Sequence, residues 1–121
     1  MARILLVEDE DPVRAFVKRA LEMDGHTVSE AADGEDGIEL FLANGGVFDL
    51  LLTDIRMPIM DGIELAGLVR KQNPSIPILL MTGFAEQRER AASLAVVVTD
   101  VLTKPFSLID LRATVARVLQ G

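Results

Sequence analysis

Residues 50–62 read LLLTDIRMPIMDG, an apolar run that ends at the carboxylate of Asp54 and continues into a loop rich in turn residues. Unbroken apolar runs of this length are typical of strands that are buried on both faces, as in parallel sheets. Residues 4–7 and 78–81 repeat the pattern, and residues 27–31 and 98–102 predict two less central strands.

Helical patterns lie between these strands. Apolar side chains at helical spacing occur in a first helix between Asp11 and Gly25 and in segments 34–43, 63–72, 85–94 and 107–119. Strands and helices therefore alternate along the whole chain. Five βα units with right-handed crossovers predict an α/β fold, a doubly wound (βα)5 sandwich around a five-stranded parallel sheet.

The composition indicates one compact domain. The chain has 121 residues, half of them hydrophobic, and a formal net charge of −7. This acidity argues against direct binding to the phosphate backbone of nucleic acid. The absence of cysteine excludes disulfides and thiolate metal sites. No signal peptide precedes the first strand and no apolar run approaches the ~20 residues of a membrane span, so we expect a cytoplasmic protein without a membrane partner.

Polar side chains follow four of the predicted strands at the point where each strand ends. Glu8 and Asp9 follow the first strand, Asp54 closes the third, Thr82 closes the fourth, and Lys104 follows the fifth. In an open parallel sheet, ligands bind in the crevice outside the carboxyl ends of the strands. We therefore expect three acids, a hydroxyl and a lysine to meet at one edge of the sheet. That set suits a metal ion together with a phosphoryl group.

The three acids, Glu8, Asp9 and Asp54, predict a cation site. Two like charges ~4 Å apart repel by about 4 kcal/mol at an effective dielectric constant of 20, so the cluster requires a cation or a proton. Oxygen ligands without histidine or cysteine favour Mg²⁺ or Mn²⁺ over zinc. A carboxylate can also be a nucleophile that forms an aspartyl phosphate, with Thr82 and Lys104 contacting the phosphoryl oxygens.

Other polar and sulfur-containing residues have simpler interpretations. Acids at strand ends are often helix caps, which is the role expected for Asp11. His26 is the only histidine and lies in a turn, where we interpret it as structural or solvated. Met57 and Met60 are expected to pack against the core rather than to bind a ligand.

Four motifs carry a resemblance to the receiver domain of two-component response regulators. In chain order they are ILLVEDE at 4–10, TDIRMP at 53–58 with MDG at 60–62, MTG at 81–83, and LTKPF at 102–106. The order and spacing of all four are specific, and the match spans essentially the whole chain. The resemblance implies a flavodoxin-like, CheY-like fold. Because the given sequence ends right after its fifth predicted helix, we expect a single receiver domain over residues 1–121 with no output domain, either as a stand-alone receiver or as part of a longer protein.

The resemblance also implies roles for the site residues. Asp54 is the phosphoacceptor, which takes its phosphoryl group from a histidine kinase or a histidine phosphotransfer protein, while Thr82 and Lys104 contact that group. Four ligands are implied for Mg²⁺: Glu8, Asp9, Asp54 and the backbone carbonyl of Arg56. Such a domain is not an enzyme with a separate substrate, although it assists its own phosphorylation and dephosphorylation. The added charge of about −2 switches binding to a downstream protein partner.

The chain departs from the usual receiver pattern at three positions. Glu8 stands where aspartate is commoner, and Gly83 follows the switch threonine where a small alanine is usual. Val101 stands where receivers often carry an aromatic side chain, and the chain contains no tyrosine. Signalling through an aromatic latch at that position is therefore excluded.

Residues 81–85 and 98–106 resemble the CpdR-type single-domain receivers. Those receivers are phosphorylation-controlled adaptors that deliver substrates to the ClpXP protease. This narrower resemblance implies a protease-adaptor role in cell-cycle control, with ClpXP as the downstream partner. We expect the downstream partner to recognise the phosphorylation state of the domain at the surface formed by segments 85–94, 98–102 and 107–119.

Two other functions compete with this interpretation. Residues 9–13 after an apolar strand resemble the first motif of haloacid-dehalogenase-like phosphatases, in which Asp9 is the nucleophile and Asp11 the general acid and base. That assignment leaves the Asp54 loop unexplained, and only Asp110 follows Lys104 as a further acid. The other alternative is a phosphate-independent interaction module, which has no need of the full set of acids, threonine and lysine.

Overall fold

A computed structural model describes residues 1–83 and 98–121 of the chain. Five strands lie in these residues: β1 (Arg3–Val7), β2 (Thr27–Ala31), β3 (Leu50–Asp54), β4 (Ile78–Thr82) and β5 (Asp100–Thr103). The helices in the same part of the chain are α1 (Asp11–Met23), α2 (Gly34–Ala43), α3 (Gly62–Gln72) and α4 (Leu108–Gln120). The helix predicted over residues 85–94, which forms part of the predicted signalling surface, lies outside the described residues.

The five strands form one parallel sheet in the order β2-β1-β3-β4-β5. The doubly wound α/β fold predicted from the sequence is confirmed. The strand order reverses at β1 and β3, and open α/β sheets bind their ligands at such a switch point. The register pairs Val7 with Thr53 and Asp54 with Met81, so these strands end at a common edge.

Two buried apolar clusters, one on each face of the sheet, hold the helices. Phe41 of α2 and Leu65 of α3 lie in the first cluster with Leu5 of β1. Leu21 of α1 lies in the second with Leu6, the next residue of the same strand. Neighbouring residues of a strand point to opposite faces, so the unbroken apolar runs fill both layers. This confirms the prediction that β1, β3 and β4 are central strands.

The start of α1 differs from the prediction. Asp11 is the first helical residue and not the cap, because Glu10 occupies the N-cap position without a side-chain cap hydrogen bond. The Asp11 carboxylate instead forms an ion pair with Arg14, with 2.6 Å between Oδ1 and Nη2. Pro12 still lies in the first turn, where an amide hydrogen has no partner within the helix.

The start of β5 also differs, because this strand begins at Asp100 and not at residue 98. The hydroxyl of Thr99 accepts a hydrogen bond from the Ile78 amide at 3.0 Å, which replaces a backbone partner at that point of the ladder. The structural interpretation of His26 is confirmed, since its Nδ1 accepts a hydrogen bond from the amide of Ala2 at 3.1 Å.

Candidate functional site

The sheet brings four polar strand ends to one edge. Glu8 follows β1, Asp54 and Thr82 are the last residues of β3 and β4, and Lys104 follows β5. The Lys104 amide donates to the carbonyl of Thr82 at 2.8 Å, which continues the ladder beyond β5 and fixes where the lysine leaves the sheet.

The acids form the predicted cluster. Glu8, Asp9 and Asp54 each place one carboxylate oxygen within 4.8 Å of the others. Glu8 is fully buried and Asp54 is 6% exposed, so two of the three charges lie below the surface. Charges at this spacing repel strongly unless a cation lies among them.

The positively charged side chain of Lys104 partly neutralises this acid cluster. Its Nζ lies 2.7 Å from Oε1 of Glu8 and 3.2 Å from Oδ2 of Asp54. The second oxygen of Glu8 accepts a hydrogen bond from the Glu10 amide at 3.1 Å. Both oxygens of this buried carboxylate therefore have partners, as a buried charge requires.

The electrostatics of the cluster follow from burial. Burial raises the pKa of Glu8 from its ordinary value of 4.5 to about 7, although hydrogen bonds from Lys104 and the Glu10 amide oppose the rise. Burial likewise raises the pKa of Asp54, against the attraction of Lys104. Burial disfavours the charged form of Lys104, but its contacts with the two carboxylates outweigh that effect and raise its pKa. Without a metal, burial therefore makes Glu8 take up a proton more readily than an exposed glutamate does.

A tight turn holds the loop that follows Asp54. The amide of Gly62 donates to the carbonyl of Ile55 at 2.7 Å, and a Cβ at position 62 would lie 2.0 Å from the carbonyl oxygen of Asp54. Only glycine fits this close approach. Asp61 then caps α3 by accepting from the Glu64 amide at 2.8 Å, within a capping box.

The methionines of this loop pack as predicted. Met57 is 9% exposed and belongs to the buried cluster beneath α2 and α3, and Met60 packs against the same cluster. Between them, Ile59 is 75% exposed and has a φ of 72°, a left-handed conformation that is strained for a β-branched side chain.

A surface cavity of about 450 Å³ opens over the acid cluster. Its walls include four of the six predicted site residues, Asp9, Asp54, Arg56 and Lys104, together with Glu10 and Gly83. Glu8 is not part of the wall, but it contacts the wall residue Lys104. Thr82 is 1% exposed at the end of β4 and is not part of the cavity wall. The structure therefore brings the predicted acids, the lysine and Arg56 together, and it leaves Thr82 buried at the end of β4.

The donor set fits a hard divalent cation. All three side chains offer oxygen, which Mg²⁺ prefers, and a site with few protein ligands leaves coordination positions for water and phosphate oxygens. Glutamate at position 8 has a longer side chain than aspartate, and here it meets Lys104.

No sequence pattern indicated that Arg14 contributes to the site. Its Nη1 donates to the backbone carbonyl of Glu8 at 2.8 Å. The spacing of three residues from Asp11 indicates an ion pair on the helix surface, which is present, but not a contact with the strand end.

Comparison with known proteins agrees with this geometry. The sequence pattern of the response regulator receiver domain matches residues 4–116. The chain belongs to this receiver domain family. The resemblance inferred from the four sequence motifs is thereby confirmed.

Several relatives share this receiver domain with very different overall lengths. Sensor kinase CckA of Brucella abortus (strain 2308) is 41% identical over 119 residues, which cover 98% of this chain and 13% of the kinase. Transcriptional regulatory protein TcrA of Mycobacterium tuberculosis (strain ATCC 25618 / H37Rv) is 39% identical over 111 residues, 92% of this chain and 43% of that protein. The chain thus spans less than half the length of these two relatives. Response regulator receiver protein CpdR of Brucella abortus (strain 2308) is 41% identical over 119 residues, 98% of each chain.

Solved structures agree with the fold. Chemotaxis response regulator CheY4 of Vibrio cholerae superposes with a TM-score of 0.86 at 34% identity, over 98% of both chains. The receiver domain of the hybrid histidine kinase CckA gives a TM-score of 0.82 at 36% identity, over 98% of this chain and 99% of that one. The CheY-like fold predicted from the resemblance is confirmed.

The protein is therefore a receiver domain of two-component signalling, a phosphoacceptor module whose family implies histidine kinase or phosphotransfer partners. Neither alternative function is favoured. The phosphatase hypothesis needs Asp11 as acid and base, but that side chain is 83% exposed and paired with Arg14. Within the described ranges 1–83 and 98–121, every helix is too short or too polar to cross a membrane.

Proposed function

We propose that Asp54 accepts a phosphoryl group from a phosphohistidine and that the new charge switches binding to a downstream protein. The observation that carries the proposal is the position of Lys104 Nζ, 2.7 Å from Glu8 and 3.2 Å from Asp54. A lysine held at the acceptor carboxylate is placed to neutralise an oxygen of the incoming phosphoryl group. The open cavity over Asp54 gives the donor access to that carboxylate.

The transfer is a displacement at phosphorus. One carboxylate oxygen of Asp54 forms a bond to phosphorus as the P–N bond of the phosphohistidine breaks, and the electron pair of that bond stays on the imidazole nitrogen. Hydrolysis later returns the carboxylate and releases inorganic phosphate when water attacks the phosphorus. The domain thus assists its own phosphorylation and dephosphorylation and has no further substrate.

Positioning and charge neutralisation are most of what phosphoryl transfer requires of a protein. When bound, Mg²⁺ would offset the negative charge of the phosphoryl oxygens. Its proposed ligands are Glu8, Asp9, Asp54 and the backbone carbonyl of Arg56. Lys104 then exchanges part of its contact with Glu8 for a phosphoryl oxygen, which is the rearrangement that phosphorylation imposes on the site.

Thr82 is the proposed link to the rest of the domain. Its hydroxyl lies at the end of β4, nearly fully buried, and we expect it to turn toward the phosphoryl group on Asp54. Val101 cannot supply an aromatic latch, because it is an aliphatic side chain packed against the buried cluster next to α2 and α3. Coupling therefore runs through Thr82 and the segment that follows it.

The donor is proposed to be a histidine kinase or a histidine phosphotransfer protein. The likeness to CpdR over 98% of each chain supports a finer proposal, a phosphorylation-controlled adaptor for the ClpXP protease. The finer proposal rests on the CpdR-type resemblance, and the phosphoacceptor role does not depend on it.

Intact mass spectrometry tests the acceptor. After incubation with acetyl phosphate and Mg²⁺, the wild type gains one labile phosphoryl group, and Asp54→Asn gains none. Asp36→Asn makes the same chemical change at an exposed position on α2 and is expected to react like the wild type. Chelation of the metal abolishes the adduct in every protein.

Two outcomes would contradict the proposal. An adduct that persists in Asp54→Asn but vanishes in Asp9→Asn would identify Asp9 as the nucleophile, as in the phosphatase hypothesis. No adduct in the wild type would favour phosphate-independent binding.

A separate measurement tests the adaptor role. Fluorescence anisotropy of the labelled chain with purified ClpXP, with and without acetyl phosphate, is expected to show a change in affinity of roughly tenfold, within the usual range of allosteric coupling. Asp54→Asn should not respond to acetyl phosphate. Equal affinities for both forms of the wild type would reject the adaptor role and leave the phosphoacceptor role standing.

A further inference from the structure

Arg14 joins the end of strand β1 to helix α1 and strand β2. Besides the Glu8 carbonyl at 2.8 Å, its guanidinium contacts Glu30 at 3.1 Å and Asp11 at 2.6 Å. The side chain is 17% exposed, and Lys18 holds Glu30 from the other side with 2.7 Å between Nζ and Oε2. A planar guanidinium held at three points is a rigid anchor, because its donors are fixed relative to one another.

The contacted carbonyl belongs to the peptide that links Glu8 to Asp9. The amide of Glu8 donates to the carbonyl of Ala31 at 3.1 Å, so both backbone groups of this residue are bound. The plane of this peptide contains the nitrogen and the Cα of Asp9, so it sets the point from which the Asp9 side chain extends. Holding the carbonyl therefore restricts where the Asp9 carboxylate points.

We infer that Arg14 is a positioning residue for the metal site, which sets the affinity and the selectivity for Mg²⁺ by fixing the orientation of Asp9. This inference rests on the proposed function, which places Mg²⁺ at Glu8, Asp9 and Asp54. Groups that orient metal ligands from outside the coordination sphere typically change metal affinity by about 10–100-fold when they are removed.

The direction in which Arg14→Gln changes the affinity for Mg²⁺ distinguishes a positioning role of Arg14 from a purely electrostatic one. Arg14→Gln removes one positive charge and takes the formal net charge from −7 to −8. Coulomb attraction alone would then strengthen cation binding. If Arg14 acts by orienting Asp9, its removal should instead weaken the binding of Mg²⁺. Arg19→Gln makes the same charge change at an exposed position of the same helix and is the matched control.

A comparison of Mg²⁺ with Ca²⁺ affinity provides a second test of the positioning role. Mg²⁺ demands near-octahedral geometry, whereas Ca²⁺ accepts flexible arrangements of ligands. A loosened Asp9 should therefore weaken Mg²⁺ binding more than Ca²⁺ binding. A general loss of stability would not favour one ion over the other.

Isothermal titration of the whole chain with MgCl₂ and with CaCl₂ tests the inference. We expect Arg14→Gln to bind Mg²⁺ roughly tenfold more weakly, with a smaller loss for Ca²⁺. Arg19→Gln should stay within about twofold of the wild type. Glu30→Gln keeps the guanidinium but replaces the charged acceptor of one contact with a neutral one, so it should show a smaller loss in the same direction.

Val115→Ala controls for stability, since it removes buried volume on α4 outside the cavity that covers the acids. Mg²⁺ binding by Arg14→Gln that matches the wild type, or an equal loss in Val115→Ala, would overturn the inference. If the wild type binds Mg²⁺ and Asp54→Ala does not, while Arg14→Gln binds normally, only this inference fails. If the wild type binds no Mg²⁺, the proposed function fails with it.

Discussion

Glu8→Gln removes the most deeply buried charge of the site and keeps its size. In the metal-free protein, burial raises the pKa of Glu8 from 4.5 to about 7. An acid with a higher pKa in the folded state than in the unfolded state binds its proton more tightly when folded. The folded state is therefore favoured below pH 4.5, and that contribution is lost as the pH rises to about 7.

The magnitude follows from the difference between the two pKa values. A difference between 4.5 and about 7 corresponds to a loss of about 3 kcal/mol in the free energy of unfolding. Most of this loss, roughly 2–3 kcal/mol, falls between pH 5 and pH 8. Glutamine does not titrate, so Glu8→Gln should lack this part of the pH dependence. The free energy of unfolding of Glu8→Gln should therefore increase relative to that of the wild type as the pH rises.

Urea unfolding at pH 5 and pH 8 in the presence of a chelator measures the effect. Asp54 and Lys104 remain in both proteins, and the difference between the two proteins reports the titration of Glu8 together with its effect on the pKa values of these neighbours. Asp36→Asn should follow the wild type at both pH values, because its side chain is exposed. Parallel losses of stability in wild type and Glu8→Gln would refute the reasoning, because Glu8 would then titrate as it does in the unfolded chain.

Three further predictions concern stability. At a concentration ten times its dissociation constant, Mg²⁺ should raise the free energy of unfolding by about 1.4 kcal/mol, and a melting temperature that is the same with and without the metal would contradict the site. Gly62→Ala should cost about 3 kcal/mol in urea unfolding, because its Cβ would lie 2.0 Å from the Asp54 carbonyl oxygen. The matched Gly67→Ala, with no atom within 4 Å, should gain up to about 1 kcal/mol from helix propensity, so equal effects would disprove the steric argument. Ile59→Asn should raise stability by about 1 kcal/mol, because asparagine tolerates the φ of 72° better and little burial is lost at 75% exposure; a lower melting temperature would show that the isoleucine makes contacts worth more than the strain.

The sequence alone predicted the fold and which polar residues meet at one edge of the sheet. Runs such as residues 50–53 are too apolar for a half-exposed strand, so they require helices on both faces of a parallel sheet. Parallel strands end at a common edge, and that rule already grouped Glu8, Asp54 and Lys104. Both inferences depend on local patterns, which a sequence displays directly.

Only the tertiary structure decided how these residues interact. The full burial of Glu8, the bridging position of Lys104 and the hydrogen bond from Arg14 all join residues of different elements. They depend on strand order, register and side-chain direction, which no local pattern contains. Asp11 illustrates the same limit. An acid before a proline is compatible with a helix cap and with a residue of the first turn. In the structure Asp11 is the first helical residue, and its carboxylate pairs with the guanidinium of Arg14. The sequence therefore specified which chemical groups meet at the edge of the sheet, and the packing of the chain specified their distances, their pKa values and the groups that hold them in place.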